Sequence, residues 1–281
     1  MNQVAIVGTG LIGASFGLAL RKSGYTGAII GVSSPAAVGA ALAAGAIDRA
    51  APLEEAVRAA DLVFLSQTIG RILDTLRHLD PLVQSGALIT DAGSTKCEIV
   101  DLGRQCIRRC QFLGGHPMAG KETRGASAAD ADLFRGRTWA LTPDEPAELE
   151  TPAARDFRGW LDRIGAHLVV LDSDEHDRVV SLTSHLAQLA STALAATVAD
   201  RLGAPAHLQM AGPGLQDMTR LAIGSYDLWR DILATNTDHI ERALSEYIQK
   251  LEHMRENLRT RQLQLEFDRA ARLAGRLRRT G

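Results

Sequence analysis

Hydrophobic positions in the first 172 residues gather into short unbroken runs. The runs are VAIVG (4–8), GAIIGV (27–32), DLVFLS (61–66), GALITDAG (86–93) and QFLGG (111–115). Runs that are apolar throughout, rather than alternating, predict strands buried on both faces, as in a parallel sheet. Between them, alanine- and leucine-rich stretches predict helices up to Ser23 and over Ala36–Ala44, Arg71–Leu79 and Cys97–Arg109. Thr138–Thr142 and His167–Leu171 read as further strands around a helix over 151–164. After Asp172 no strand-like run remains, and helix follows helix with breaks at Gly203–Pro205 and Gly212–Gly214. The pattern predicts an α/β domain over 1–172 and an all-helical domain over 173–281.

Two helical segments raise questions of partner. Asp238–Arg269 reads as one long amphipathic helix, with Ile240, Leu244, Tyr247, Leu251, Met254 and Leu258 at three- and four-residue spacing. Its apolar stripe packs on the same domain or meets a second subunit, and we read a homodimer. Val179–Val198 carries no formal charge and is long enough to span a bilayer. It also holds Ser181, Thr183, Ser184, His185, Gln188, Ser191 and Thr192, which predict a helix buried in protein and no membrane.

Composition narrows the class. The chain has 281 residues, 46% hydrophobic, with a net charge of −2, so no broad basic field points to nucleic acid or a membrane surface. The cysteines are Cys97, Cys106 and Cys110, the last two placed to share a helical face. An odd count behind an N-terminus that reads as a strand predicts a reducing, cytoplasmic setting. DEHDR (174–178) reads as acids favouring a helix start, not as a metal site.

The turn after the first strand is Gly8-Thr9-Gly10-Leu11-Ile12-Gly13, a G-x-G-x-x-G at the mouth of a helix. In that context the first glycine turns the chain, the second lets backbone approach a pyrophosphate, and the third packs helix on strand. This predicts a Rossmann-type dinucleotide-binding domain. The second strand ends Val32-Ser33-Ser34 without the acid that grips a ribose diol. Two serines tolerate a 2′-phosphate, so the reading leans to NADP with NAD open. The serines serve equally as caps of the next helix, and Arg21 is a candidate phosphate ligand if the fold brings it near. Gln67 and Thr68, after the third strand, are further candidate cofactor contacts.

His116 follows two glycines and precedes Pro117, which predicts a stiff, sharply turned loop. Asp91-Ala92-Gly93-Ser94-Thr95-Lys96 closes the fourth strand. In a parallel sheet both segments leave at the edge that carries the glycine turn. There Ser94 and His116 can share a substrate hydroxyl, the imidazole accepting its proton as hydride leaves the same carbon. Ser94 is equally suited to cap the following helix.

In order and spacing, GTGLIGASFG, DAGSTK, GGHPMAGKE, SHL (184–186) and DMTRLA (217–222) resemble the prephenate/arogenate dehydrogenases of tyrosine biosynthesis. The resemblance spans nearly the whole chain. It implies a Rossmann-type domain followed by a helical dimerisation domain, and oxidative decarboxylation of prephenate or arogenate with NAD(P)+. It implies that His116 is the base on the ring C4 hydroxyl and that Ser94 orients it. It implies that Arg220 grips a substrate carboxylate, that Ser184 and His185 begin a pocket-lining helix, and that Glu122 and Trp229 lie at the pocket. Many prephenate-preferring members carry a histidine where this chain has Gln188, which leaves arogenate, or both substrates, open. The β-hydroxyacid dehydrogenases share the layout but use a lysine from the second domain, and none occurs between Glu122 and Gln249. A non-catalytic dinucleotide sensor has no use for Ser94, His116 and Arg220 together.

Overall fold

A computed structural model describes residues 1–260 and 262–280. The N-terminal half alternates strand and helix. It runs β1 (Gln3–Val7), α1 (Leu11–Lys22), β2 (Ala28–Val32), α2 (Pro35–Ala43), β3 (Arg49–Ala50), α3 (Leu53–Arg58), β4 (Leu62–Leu65) and α4 (Ile69–Leu79). It continues through β5 (Leu88–Asp91), α5 (Cys97–Cys106), β6 (Gln111–Pro117), β7 (Thr138–Thr142), α6 (Pro152–Ile164) and β8 (His167–Val170). One eight-stranded sheet results, in the order β3-β2-β1-β4-β5-β6-β7-β8. Neighbours are parallel except β6 and β7, which pair antiparallel with His116 opposite Ala140.

The unbroken apolar runs fill both faces of this sheet. Along β1, Val4 and Ile6 join Phe16, Phe64, Trp139 and Phe157 on one side. Ala5 and Val7 join Val63, Leu65, Ile72 and Leu76 on the other. The Phe16 and Phe64 ring centroids lie 4.4 Å apart. Few aromatics thus form one compact cluster between sheet and helices, and the aliphatic face covers the rest.

Two sequence expectations change here. His116 is not on a loop: the fifth predicted strand runs on through it to Pro117. Gly114 and Gly115 serve close packing rather than a turn, since a Cβ at Gly114 would lie 2.3 Å from Thr142 Oγ1 and one at Gly115 2.8 Å from the Asp91 carbonyl oxygen. The helix read as ending at Arg109 stops at Cys106, because Asp80 Oδ1 captures the amides of Arg108 and Arg109, both at 2.9 Å. Cys110 therefore shares no helical face with Cys106.

The second half is helical: α7 (Ser173–Val180), a π turn (Ser181–His185) and α8 (Leu186–Arg201) form one continuous helix. Then come α9 (Pro205–Leu208), α10 (Pro213–Thr219), a 3-10 turn (Arg220–Ile223), α11 (Tyr226–Thr235), α12 (Thr237–Glu256) and α13 (Gln264–Thr280). The long helix expected over Asp238–Arg269 is two helices. Its stripe packs on its own chain unevenly: Ile240 is buried and Leu244, Tyr247 and Met254 are half-buried, whereas Leu251 and Leu258 are exposed. Residue 261, in the break, lies outside the described residues. By length and composition Ser173–Arg201 could cross a membrane. Its buried face, however, is polar, carrying Asp177, Ser181, His185, Gln188 and Ser191.

The halves are joined by carboxylates that cap helices in trans. Asp177 of α7 accepts from the amides of Lys96 and Cys97 at the start of α5, at 2.7 and 2.9 Å. Asp231 of α11 accepts from Gly70 N in the first turn of α4 at 3.1 Å. Thr95 and Thr235 share a hydroxyl hydrogen bond of 2.7 Å. Each cap answers a free amide and a helix dipole at once.

Candidate active site

The carboxyl ends of β1, β2 and β4 frame a cavity of about 470 Å³ lined by Gly8, Gly10, Val32, Ser33, Ser34, Ser66, Gln67 and Arg71. Gly8 has φ of 101°, and a Cβ there would lie 2.7 Å from Ser66 backbone. A Cβ on Gly10 would meet nothing within 4 Å, and α1 starts there with no side-chain cap. That is a cradle suited to a pyrophosphate. Thr9 is fully buried, so only its backbone can face the cleft, and Leu11 and Ile12 pack against the core. Gln67 Oε1 accepts from Thr75 at 2.9 Å, and Thr68 stands at the N-cap position of α4 without a side-chain bond. Ser34 caps α2 through Ala37 N at 3.4 Å while also lining the cavity. Arg21 is excluded as a phosphate ligand. It pairs with Asp48 and donates to the carbonyls of Tyr25 and Gly27, at the opposite end of β2.

His116 is held by a buried ion pair, Lys96 with Asp91, both fully buried. Lys96 Nζ donates to the Gly115 carbonyl at 2.9 Å, and Asp91 Oδ1 accepts from Gly115 N at 3.1 Å. The peptide before His116 is thus clamped from both sides. His116 is half-buried as a residue, and its Nδ1 lies 2.9 Å from His176 Nε2. Desolvation, with His176, Lys96 and His185 adding to it, holds its pKa well below the ordinary 6.5. The ring is therefore neutral and free to accept a proton. Ser94 is half-buried two residues before the N-cap of α5. It is not that helix's cap: Asp177 takes that part, and among the described residues the Ser94 hydroxyl has no protein partner.

The helical half carries the remaining candidates. His185 is buried, its pKa pushed down to about 4 by desolvation. Asn236 Nδ2 faces its Nδ1 at 3.3 Å, so Nδ1 accepts and Nε2 carries the proton. Trp229 packs edge-on against this ring at 5.8 Å. Gln188 donates to the Leu221 carbonyl at 2.9 Å, tying α8 to the turn that carries Arg220. Arg220 is exposed and pairs with Glu122 at 3.2 Å, and Arg124 donates to Ser225 at 2.7 Å. The segment after His116 thereby reaches the helical half. Ser184 lies within the π turn, not at a helix start.

Residues 16–170 match the prephenate dehydrogenase nucleotide-binding domain, and residues 172–272 match the prephenate dehydrogenase dimerization domain. The chain belongs to the prephenate dehydrogenase family. It is similar to the prephenate dehydrogenase of Bacillus subtilis, 36% identical over 268 residues, which cover 91% of this chain and 71% of that one. The prephenate dehydrogenase from A. aeolicus, solved in complex with hydroxyphenyl propionate and NAD+, superposes with a TM-score of 0.88 at 26% identity, covering 98% of this chain and 97% of the other. Synechocystis arogenate dehydrogenase superposes with a TM-score of 0.79 at 28% identity, covering 98% of both.

Within this prephenate dehydrogenase fold, three groups escape the sequence reading. The acids Asp174 and Glu175 do lie in the first turn of α7, but His176 and Asp177 behind them are buried partners of His116 and α5. The signal for them is the polar spacing Asp177, Ser181, His185, Gln188, Ser191 along an otherwise apolar helix. Arg71 joins the serine cavity from α4, and no motif marks it.

Proposed function

We propose that the protein oxidatively decarboxylates a cyclohexadienyl substrate, prephenate and/or arogenate, with hydride transfer to NAD(P)+. What carries the reading is the neutral, clamped His116 at the sheet edge that also bears the glycine cradle, in a chain of this family. Gly8, Gly10, Ser33, Ser34 and Arg71 would hold the dinucleotide, which would supply the hydride acceptor for ring C4 as carbon dioxide leaves C1 and the ring becomes aromatic. His116 takes the C4 hydroxyl proton and returns it to the product oxygen. Ser94 orients that hydroxyl. Arg220 receives a substrate carboxylate through its two-pronged guanidinium. Its exposed pair with Glu122 is worth only about 0–1 kcal/mol, so the exchange costs little. His185, a neutral donor at Nε2, and Trp229 line the ring site, and Gln188 holds the Arg220 turn in place.

Ser33, Ser34 and Arg71 around one cavity, with no carboxylate on it, favour a 2′-phosphate and hence NADP over NAD. We also infer a domain boundary at Asp172, a cytoplasmic setting, and a homodimer through the helical half. The outward face of Ser173–Arg201 and the exposed Met210, Ile223, Tyr226 and Phe267 give a second copy apolar surface to cover. A two-by-two assay tests the function: prephenate or arogenate, with NAD+ or NADP+, following reduced-cofactor absorbance. Turnover of at least one substrate, faster with NADP+, is expected. No turnover in any combination overturns the reading.

A further inference from the structure

The polarity of a hydrogen-bond chain can be read from its end. Here the chain runs from His116 Nδ1 to His176 Nε2 at 2.9 Å, then from His176 Nδ1 to Asp177 Oδ1 at 2.8 Å. Burial raises the Asp177 carboxyl, but the bonds from His176 and from the Cys97 and Lys96 amides outweigh it and leave the pKa below 3.8. An ionised carboxylate only accepts, so His176 Nδ1 carries a proton. Where that is the ring's only proton, His176 presents a lone pair at Nε2 to which His116 Nδ1 donates. The one remaining site on His116, Nε2, is left unprotonated and takes no protein hydrogen bond among the described residues.

Resting on the reading of His116 as the base, we propose that His176 and Asp177 are positioning residues that lock His116 in the Nδ1–H tautomer and offset the charge its ring gains with the substrate proton. The other groups facing the pair do not offer that compensation. Lys96 is matched by Asp91, and the Cys97 thiol is pushed up to about 12 by burial and by Asp177, with Asp174 adding to it. His185 is neutral. Asp177 is the carboxylate in line with the ring. Its second task, capping α5, fixes it against the backbone, so the tautomer is set by a helix terminus rather than by a mobile side chain.

Spectra of the ¹⁵N-histidine-labelled full chain, with His116→Asn assigning the resonance, read the tautomer in the unaltered protein. The expected result is a proton on Nδ1 and none on Nε2. His176→Ala should shift that balance and lower kcat about 10²-fold with KM little changed. His176→Gln, whose carbonyl can still accept from Nδ1, should recover most of the loss, which a purely structural role does not predict. A His116 ring protonated at Nε2, or full kcat in His176→Ala, overturns the proposal and leaves the base assignment standing. Undiminished turnover in His116→Asn overturns the base assignment itself.

Discussion

A fully buried lysine survives at position 96 because each of its contacts is answered. Lys96 meets Asp91 and the Gly115 carbonyl, and Asp91 in turn accepts from Gly93 and Gly115 amides. Lys96→Met leaves Asp91 a buried charge without a counterion. Stability should fall by about 3–5 kcal/mol, measurable by urea denaturation. The histidines set a pH dependence of their own. His116 and His185 have folded pKa values below the unfolded 6.5, so the unfolded chain binds more protons than the folded one in acid. Stability should therefore decline as pH drops from about 6.5, and the His185 contribution to that decline should be complete near pH 4. Circular-dichroism melts across that range check it. Activity, by contrast, should persist below pH 6.5, because His116 stays neutral there.

At the scale of elements, α4 and α5 each begin under a carboxylate from the other half of the chain. Asp231→Ala removes the bond to Gly70 N and should lower stability by about 1 kcal/mol. The first turn of α4 also brings Arg71 to the cavity lined by Ser33 and Ser34, the proposed cofactor site. Arg71→Ala should raise KM for NADP+ about 10- to 100-fold, as loss of a charge-assisted hydrogen bond does, with little change for NAD+. Elements of this kind divide what a sequence reveals from what it hides. Strands β1, β2, β4 and β5 and the glycine turn were legible because their signals are local: apolar runs, and a motif between strand and helix. His116 is singled out by its neighbours, though not its place inside β6, since the need for Gly114 and Gly115 arises from Thr142 and Asp91 across the sheet. His176, Asp177 and Arg71 act on residues far along the chain, and Arg21 was drawn away by Asp48. Pairings at that separation leave no local pattern.

At the scale of the molecule, the helical half buries a row of polar side chains, among them Asp177, His185 and Asn236, and leaves many apolar ones outward. Ile223 is 80% exposed and Met210 87%. A water-facing surface of that kind calls for a partner, and the two-fold covering of a second copy is the simplest. Light scattering after gel filtration should give twice the mass of the 30.1 kDa chain, and Phe267→Glu on the exposed face of α13 should weaken the assembly on dilution.

In the proposed reaction one imidazole, that of His116, removes the hydroxyl proton while hydride leaves the same carbon. Turnover of prephenate and arogenate by His116→Asn, measured beside cofactor affinity in the same preparation, tests it most directly. Loss of kcat by about 10²-fold or more, with dinucleotide binding intact, is the predicted result; retained turnover contradicts it.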